Sequence, residues 1–529
     1  MATYYVRGDG DNTNDGLSSA NAFANFDPVS YWGEDTLVEG DTVIVEDSGG
    51  EIIQDSSADF FGCTGSSGSP ITVKAADGDT PSIDATGATN CFKMENTAYF
   101  VVDGLEMHHA TNANIWMGGA NENTFKNLDL HHAGTGSTWG SNMEIQADST
   151  NILVQDCVGH HGAAGGNSDG FSLDGTGTTA TFERCDAYLN GDDGFDFWNS
   201  APSTAIDCRA WGNGEDPLGN QGNGDGFKIG GDGAGGGNTL ERCIAFNNSG
   251  DSGRGFDNNN AATANTVHNC VAWGNDVGYR HVNSGISVEY RNCVEYQNTQ
   301  AFVNMSYADD QYNTWNLSIT DPDWADVSLT SGDDYEGPVN DSTFMTLNSS
   351  SSCIDAGTDV GLSYNGTAPD VNAYEYEVSV TQEDSLYNNF KELLFNGEID
   401  LDTDTIQVAL ISDSPAYGPD IDNEVYVSDV LDGGTTASEV SGTGYSRETI
   451  SLTTTQDNAN DVAYVDTGDL TYSGIDAGTI DGVLIYKDGP TDDTDSPLIA
   501  YLTSDQFPLT TNGGDVTIQW GSNGVMSLS

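Results

Sequence analysis

Basic residues are nearly absent from this chain: 14 Lys and Arg stand against 83 Asp and Glu, a net charge of −69. Almost nothing is available to neutralise phosphates, so nucleic acid is excluded as a partner. No apolar run approaches the ~20 residues that span a bilayer as a helix, so membrane insertion is not expected. The opening MATYYVRGDGDNTNDG lacks a basic segment followed by an apolar one, so no secretory signal is expected. Proline is scarce, with 13 residues, and long amphipathic helical patterns are nearly missing, whereas glycine is abundant at 65. That balance suits a β-rich chain with many turns. Regular aromatic and β-branched segments argue against disorder. So acidic a surface is best tolerated where strong salt screens self-repulsion, and an extremely halophilic source is expected.

Cysteine is present in an odd number, nine. Six share one local setting, at Cys157, Cys185, Cys208, Cys243, Cys270 and Cys293, each closing a strand-like segment. Recurrence at one point of a repeat predicts a stacked column of small buried thiols rather than disulfides.

From about residue 70 to 350 the chain repeats every ~21–35 residues with two or three short strands per unit, the signature of a solenoid. Such units cannot bury their own apolar face, and stacking supplies the core. Strand spacing of about 4.8 Å then aligns equivalent side chains into ladders. With Asn-rich turns at Asn190, Asn213, Asn247 and Asn275, the rhythm fits a right-handed parallel β-helix. Residues 1–60 are expected to cap it, 61–379 to form it, and 380–529 to form a smaller, mostly antiparallel β module with one helix. In that module EDSLYNNFKELLFNG places Leu386, Phe390, Leu393 and Leu394 on one helical face, with Asp384 or Ser385 as the expected N-cap.

The segments SDGFSL, NGDDGFDFW and GNGDGFKIGG open three consecutive units with Asp-Gly-Phe. If the rungs align, Asp169 from one coil meets Asp192, Asp193 and Asp196 from the next. Carboxylates stacked one strand apart repel unless a cation lies between them, and Ca2+ takes six to eight oxygens in irregular geometry. One coil further, Lys228 holds the position after Phe that Asp196 holds, in a chain with only six lysines. Arg254 and Arg280 lie on the next two rungs and suit bidentate binding of a ligand carboxylate, with surface ion pairing as the alternative. Asp257 continues the ladder as an expected partner of Lys228. Phe171, Phe195, Phe227, Phe256 and Tyr279 read as a core stack, and Trp198 as a residue placed near the acids to face a ligand. The pairs His108–His109, His131–His132 and His160–His161 recur at one phase of successive coils. They read as a structural ladder, with a transition-metal site as the alternative.

Through NGDDGFDFW and GNGDGFKIGG, the first ~350 residues resemble the pectate lyases of polysaccharide lyase family 9. The resemblance implies a right-handed parallel β-helix that binds Ca2+ through Asp169, Asp192, Asp193 and Asp196, with Lys228 as the Brønsted base. It implies a uronate-rich polysaccharide or cell-surface glycan as partner. In the C-terminal module, KELLFNGEIDLDTDTIQVALISDS, GTGYSRETISL and NGGDVTIQWGSNGV resemble structural proteins of tailed viruses. That resemblance implies a tail, spike or turret protein on the virion surface of a haloarchaeal virus, homo-oligomeric and in contact with other virion proteins. Its β-helix would bind, and could cleave, host glycan. A purely structural or receptor-binding protein with an inactive lyase-like site, and a free lyase secreted by a halophile, are the alternatives.

Overall fold

A computed structural model describes residues 1–528 apart from 32, 34–35, 136–138, 164–166, 215–221, 232, 283–285, 331–336, 339–342, 365, 377–378, 381–384, 413–416, 433–435, 458–461, 504–506, 512 and 521–524. The chain forms two compact units. One comprises Met1–Cys353 with Val371–Tyr374, the other Ile354–Asp370 with Glu375–Ser529.

The first unit is a right-handed parallel β-helix, as the sequence predicts. Three parallel sheets run its length: twelve strands from Thr3–Arg7 to Asp309–Gln311, ten from Ile52–Ile53 to Val294–Tyr296, and ten from Ala58–Asp59 to Gln300–Val303. We call these the first, second and third sheets. Strands alternate buried and partly exposed residues, as in Ile152–Gln155 and Ala180–Glu183, so one side of each sheet faces the core. After five successive first-sheet strands the coil turns sharply through a left-handed residue: Asn127, Asp156, Arg184, Asp207 and Arg242 all have φ of 52–54°. Four of these stack with alternating charge. Arg184 donates twice to Asp156, at 2.7 and 2.9 Å, and Arg242 twice to Asp207, at 2.6 and 3.0 Å.

Ladders hold the coils in register. Phe171, Phe195, Phe227, Phe256 and Tyr279 stack in the core with centroids 4.8–5.2 Å apart, and all five are fully buried. The six expected cysteines are buried free thiols. A column of asparagines, buried except for half-buried Asn298, runs through Asn142, Asn190, Asn213, Asn248, Asn275 and Asn298, each amide donating to the next at 2.9–3.1 Å. Asn247 is the left-handed corner residue, with φ 54°, and its neighbour Asn248 occupies the ladder.

The second unit has its own core around a six-stranded antiparallel sheet, whose central strands are Leu498–Leu502, Gly482–Lys487 and Ile406–Ser412. The expected helix is shorter, Asn388–Asn396, and ends at Gly397, whose φ of 72° suits a residue without Cβ; a second, one-turn helix spans Val427–Val430 where only one helix is expected. The N-cap of Asn388–Asn396 is Tyr387, not Ser385. Ser385–Leu386 instead pairs with the strand Leu498–Leu502, so edge pairing takes Leu386 from the helical pattern. Asp384, the other expected cap, lies outside the described residues. No helix among the described residues is long and apolar enough to cross a membrane.

Candidate active site

The Asp-Gly-Phe triplets explain how the third sheet builds its cleft. Each Asp accepts a backbone N–H from the next coil: Asp169 Oδ1 from Asp193 at 3.0 Å, Asp193 Oδ1 from Asp225 at 2.8 Å, and Asp225 Oδ1 from Arg254 at 3.1 Å. Each Gly lets the coils approach. A Cβ on Gly194 would lie 2.8 Å from the Gly226 carbonyl oxygen and 2.9 Å from Ala210 Cβ. Each Phe joins the core stack. The strand register then puts Glu144, Ser172, Asp196, Lys228, Asp257 and Arg280 on one outward column. The triplet is thus a stacking device, and the residue after it is free to carry chemistry.

Asp169, Asp192, Asp196 and Lys228 line one cavity of about 490 Å³, together with Trp139, Glu144, Ser172, Asp174, Trp198 and Asn223. That volume suits a small-molecule or sugar subsite. Asp193 lies beneath, fully buried. Asp169, Asp192 and Asp193 each offer a carboxylate oxygen within 4.8 Å of the others. Lys228 Nζ donates to Asp196 Oδ2 at 2.8 Å and Asp193 Oδ2 at 3.0 Å. It also lies 4.9 Å from the centre of the Trp198 ring. The side chain of Lys228 is 7% exposed.

The charges do not balance. Burial pushes Asp192 up to about 9 and Asp196 to about 7, and neighbouring carboxylates add to the rise. Asp169 is raised well above the usual carboxylate range, chiefly by burial and then by Asp196 and Asp193. Burial alone would lower the Lys228 amine, but the four aspartates outweigh it and hold the amine well above its ordinary value. One ammonium cannot neutralise four carboxylates. Asp196 Oδ1 is buried without a hydrogen-bond partner. An all-oxygen donor set with surplus negative charge and an orphaned buried oxygen fits a hard divalent cation such as Ca2+.

Not every expected site residue joins this cleft. Arg254 is ion-paired with buried Asp225 at 3.2 Å, and Arg280 with buried Asp257 at 3.0 Å. Neither arginine is among the described residues lining the cavity. Asp257 serves Arg280 rather than Lys228. Glu144, Asp174 and Asn223 line the cavity without being marked by any sequence motif, whereas Ser172 holds the position after Phe171 in the first triplet. Glu144 and Ser172 share the column of Asp196 and Lys228, so aligning NMEIQ with DGFSL finds both. Burial raises Glu144 above the usual carboxylate range.

Comparison with known proteins agrees with this architecture. A family model described as Pel9A-like, right handed beta helix region, matches residues 4–298. Pectate lyase L of Dickeya dadantii (strain 3937) is 30% identical over 397 residues, covering 70% of this chain and 90% of that protein. Pectate lyase L of Paenibacillus polymyxa (strain SC2) is 27% identical over 333 residues, covering 57% and 73%. Among solved structures, pectate lyase Pel9A superposes with a TM-score of 0.60 at 25% identity, covering 71% of this chain and 97% of that one. A rhamnogalacturonan lyase, at 19% identity and a TM-score of 0.52, shares the fold. The β-helix is thus a polysaccharide-lyase fold homologous to pectate lyases, and the chain belongs to the Pel9A-like family of right-handed β-helices.

Proposed function

We propose that the β-helix is a Ca2+-dependent lyase that cleaves uronate-containing polysaccharide, pectate-like in chemistry, by β-elimination. The observation that carries this reading is the single amine, Lys228, in contact with Asp193 and Asp196 inside a carboxylate-lined cavity.

Asp169, Asp192, Asp193 and Asp196 would hold the cation. When bound, Ca2+ would neutralise the sugar carboxylate and, as a Lewis acid, make C5–H more acidic. Lys228, in its neutral form, takes the C5 proton. The C5–H electron pair becomes the C4–C5 double bond, and the C4–O4 bond breaks with its pair going to O4. Trp198, beside the amine, offers an apolar face to the ring. Asp193 and Asp196 aim the amine, because both accept from Nζ. Lys228 is charged while it alone answers the four acids, so added positive charge among them is what favours its neutral form.

The test is incubation with polygalacturonate and other uronans in molar salt, with Ca2+ or with EDTA, watching for absorbance of the unsaturated product. Product that needs Ca2+ and is abolished by Lys228→Ala, with glycan binding retained, supports the lyase. Binding by the wild type without product from any uronan refutes it and leaves glycan recognition. We further propose, from the C-terminal resemblance together with the acidic composition, that the chain is displayed on the surface of a haloarchaeal virus. Antibody labelling of purified particles tests this, and absence of the chain from particles overturns it.

A further inference from the structure

A second cluster of donor atoms lies on the second sheet, away from the residues of the acidic cleft. Asp84, His108, His131, His160 and Tyr188 occupy successive rungs of one column. The first rings stack, 4.9 Å from His108 to His131 and 5.0 Å from His131 to His160. Each is followed by a second histidine, His109, His132 or His161, in the left-handed conformation with φ of 53–63°. This corner turns the second ring edge-on to the first, at 78–84°. The Nδ1 atoms of each pair therefore face one another, at 2.5, 2.7 and 2.6 Å.

A carboxylate holds the far nitrogen of every first ring. Nε2 of His108 meets Glu51 at 3.0 Å, that of His131 meets Glu106 at 3.0 Å, and that of His160 meets Asp129 at 2.8 Å. Ser82 Oγ also lies 3.1 Å from His108 Nε2. An ionised carboxylate only accepts, so Nε2 carries the ring proton and Nδ1 keeps its lone pair. Two facing Nδ1 atoms can share one proton, or they can hold one metal ion. Metal-bound imidazoles are commonly oriented by a carboxylate on the other nitrogen.

Among the described residues, the first pair alone has a third donor positioned with it. Asp84 Oδ1 lies 3.8 Å from His108 Nδ1 and 3.9 Å from His109 Nδ1, and the three donor atoms lie within 4.8 Å of one another. Asp84 Oδ1 is fixed by Thr86, which donates from its backbone N–H at 2.8 Å and its hydroxyl at 2.6 Å. At the next two rungs the equivalent place is taken by the preceding imidazole, His108 or His131. We propose that Asp84, His108 and His109 form a binding site for a divalent first-row transition ion of the Zn2+, Co2+ or Ni2+ type, at one end of the histidine column. Two imidazoles and one carboxylate select such ions over Ca2+. Bonds of about 2.0–2.1 Å need the two nitrogens roughly 3 Å apart, a small outward shift of the His109 ring. That ring is 41% exposed and reachable from solvent.

The test titrates the full chain with Co2+ in excess Ca2+, so that the acidic cleft is not the site read, and follows the visible bands of nitrogen-bound cobalt. Equilibrium dialysis with Zn2+ counts the ions. One saturable ion per chain is expected. His109→Asn, which keeps a residue tolerant of the left-handed backbone, should abolish the bands, and Asp84→Asn should weaken binding by at least ~10-fold. Asp192→Asn should leave the bands unchanged. Circular dichroism and melting of each variant confirm the fold, and Asp84→Asn decides the matter if His109→Asn does not fold. Absence of saturable uptake by the wild type overturns the proposal, as does equal binding by His109→Asn. An ion kept by His109→Asn but lost by His161→Asn overturns the assignment to the Asp84 end.

Discussion

Replacing Lys228 with methionine removes the amine from the acid cluster and keeps the unbranched side chain up to one atom short of Nζ. The side chain is 7% exposed and its ammonium is bonded to Asp193 and Asp196, so solvent screening does little to discount the pair. Removing one partner of a buried pair costs ~3–5 kcal/mol, because the remaining charge is left uncompensated. Here the stranded carboxylates have an outlet. Asp192 and Asp196 already sit at about 9 and about 7. Near pH 8 the folded variant therefore takes up a proton at small cost, and the loss should fall near the lower bound, ~3 kcal/mol. The pH dependence has a definite sign. Unfolded aspartates titrate near ~4, so above pH 6 the folded variant binds more protons than its unfolded chain. Its stability must then fall as pH rises, by up to ~1.4 kcal/mol per pH unit for each extra proton, until that proton is lost. A bound divalent cation would replace the missing charge and shrink the deficit. Urea unfolding from pH 6 to 9, in EDTA and in Ca2+, measures all three effects. A variant as stable as wild type in EDTA at pH 8 would refute the reasoning. So would a deficit unmoved by both pH and Ca2+.

Other expectations follow from the ladders and the cleft. Phe227→Ala opens a hole between Phe195 and Phe256, whose rings lie 4.8 and 5.2 Å away, and should cost ~3–5 kcal/mol in denaturant unfolding. Asn213→Ala removes amide bonds to Ala187 and Asn248, at 3.0 and 2.9 Å, and strands the Asn190 amide that donated to it. At ~1–3 kcal/mol per unsatisfied buried group, it should lose ~3 kcal/mol or more by the same measurement. Trp198→Ala removes a ring 4.9 Å from Lys228 Nζ and a face of the cavity. It should raise KM by roughly 5–30-fold, for ~1–2 kcal/mol of lost contact, in the uronan assay.

What could be read ahead of the structure was whatever repeats. Phe171, Phe195, Phe227, Phe256 and Tyr279 mark one core position in five coils, and each also fixes the register of the residue that follows. That is why Asp196 and Lys228 could be placed side by side from sequence, although 32 residues of chain separate them. The same reasoning overreached at Arg254. It precedes its Gly-Phe pair, aligns with Asp225, and is drawn to that buried acid rather than to the cleft. Arg280 does follow the aromatic, but Asp257 stands between it and Lys228 on the column and takes its charge. Phase along a ladder tells which residues are neighbours, but not which neighbour will claim a charge.

The C-terminal unit was harder to read because nothing there repeats. Leu386, Phe390, Leu393 and Leu394 do share a helical phase, yet Leu386 is captured by an edge strand, a contact made across more than a hundred residues that no local pattern encodes. In the β-helix the ladder contacts are made one coil away, so local sequence and three-dimensional neighbourhood nearly coincide. This difference also explains the division of labour within Asp-Gly-Phe. Asp and Gly are fixed by the backbone of the next coil and Phe by the next ring, so the triplet recurs over three coils, and its Gly-aromatic pair persists in the next two as Gly255-Phe256 and Gly278-Tyr279. The following position is under no such constraint: it is Glu144, Ser172, Asp196, Lys228, Asp257 and Arg280 in turn. A parallel β-helix can therefore change its chemistry one rung at a time without altering what stacks it, and the acid-to-amine step from Asp196 to Lys228 is where this chain has done so.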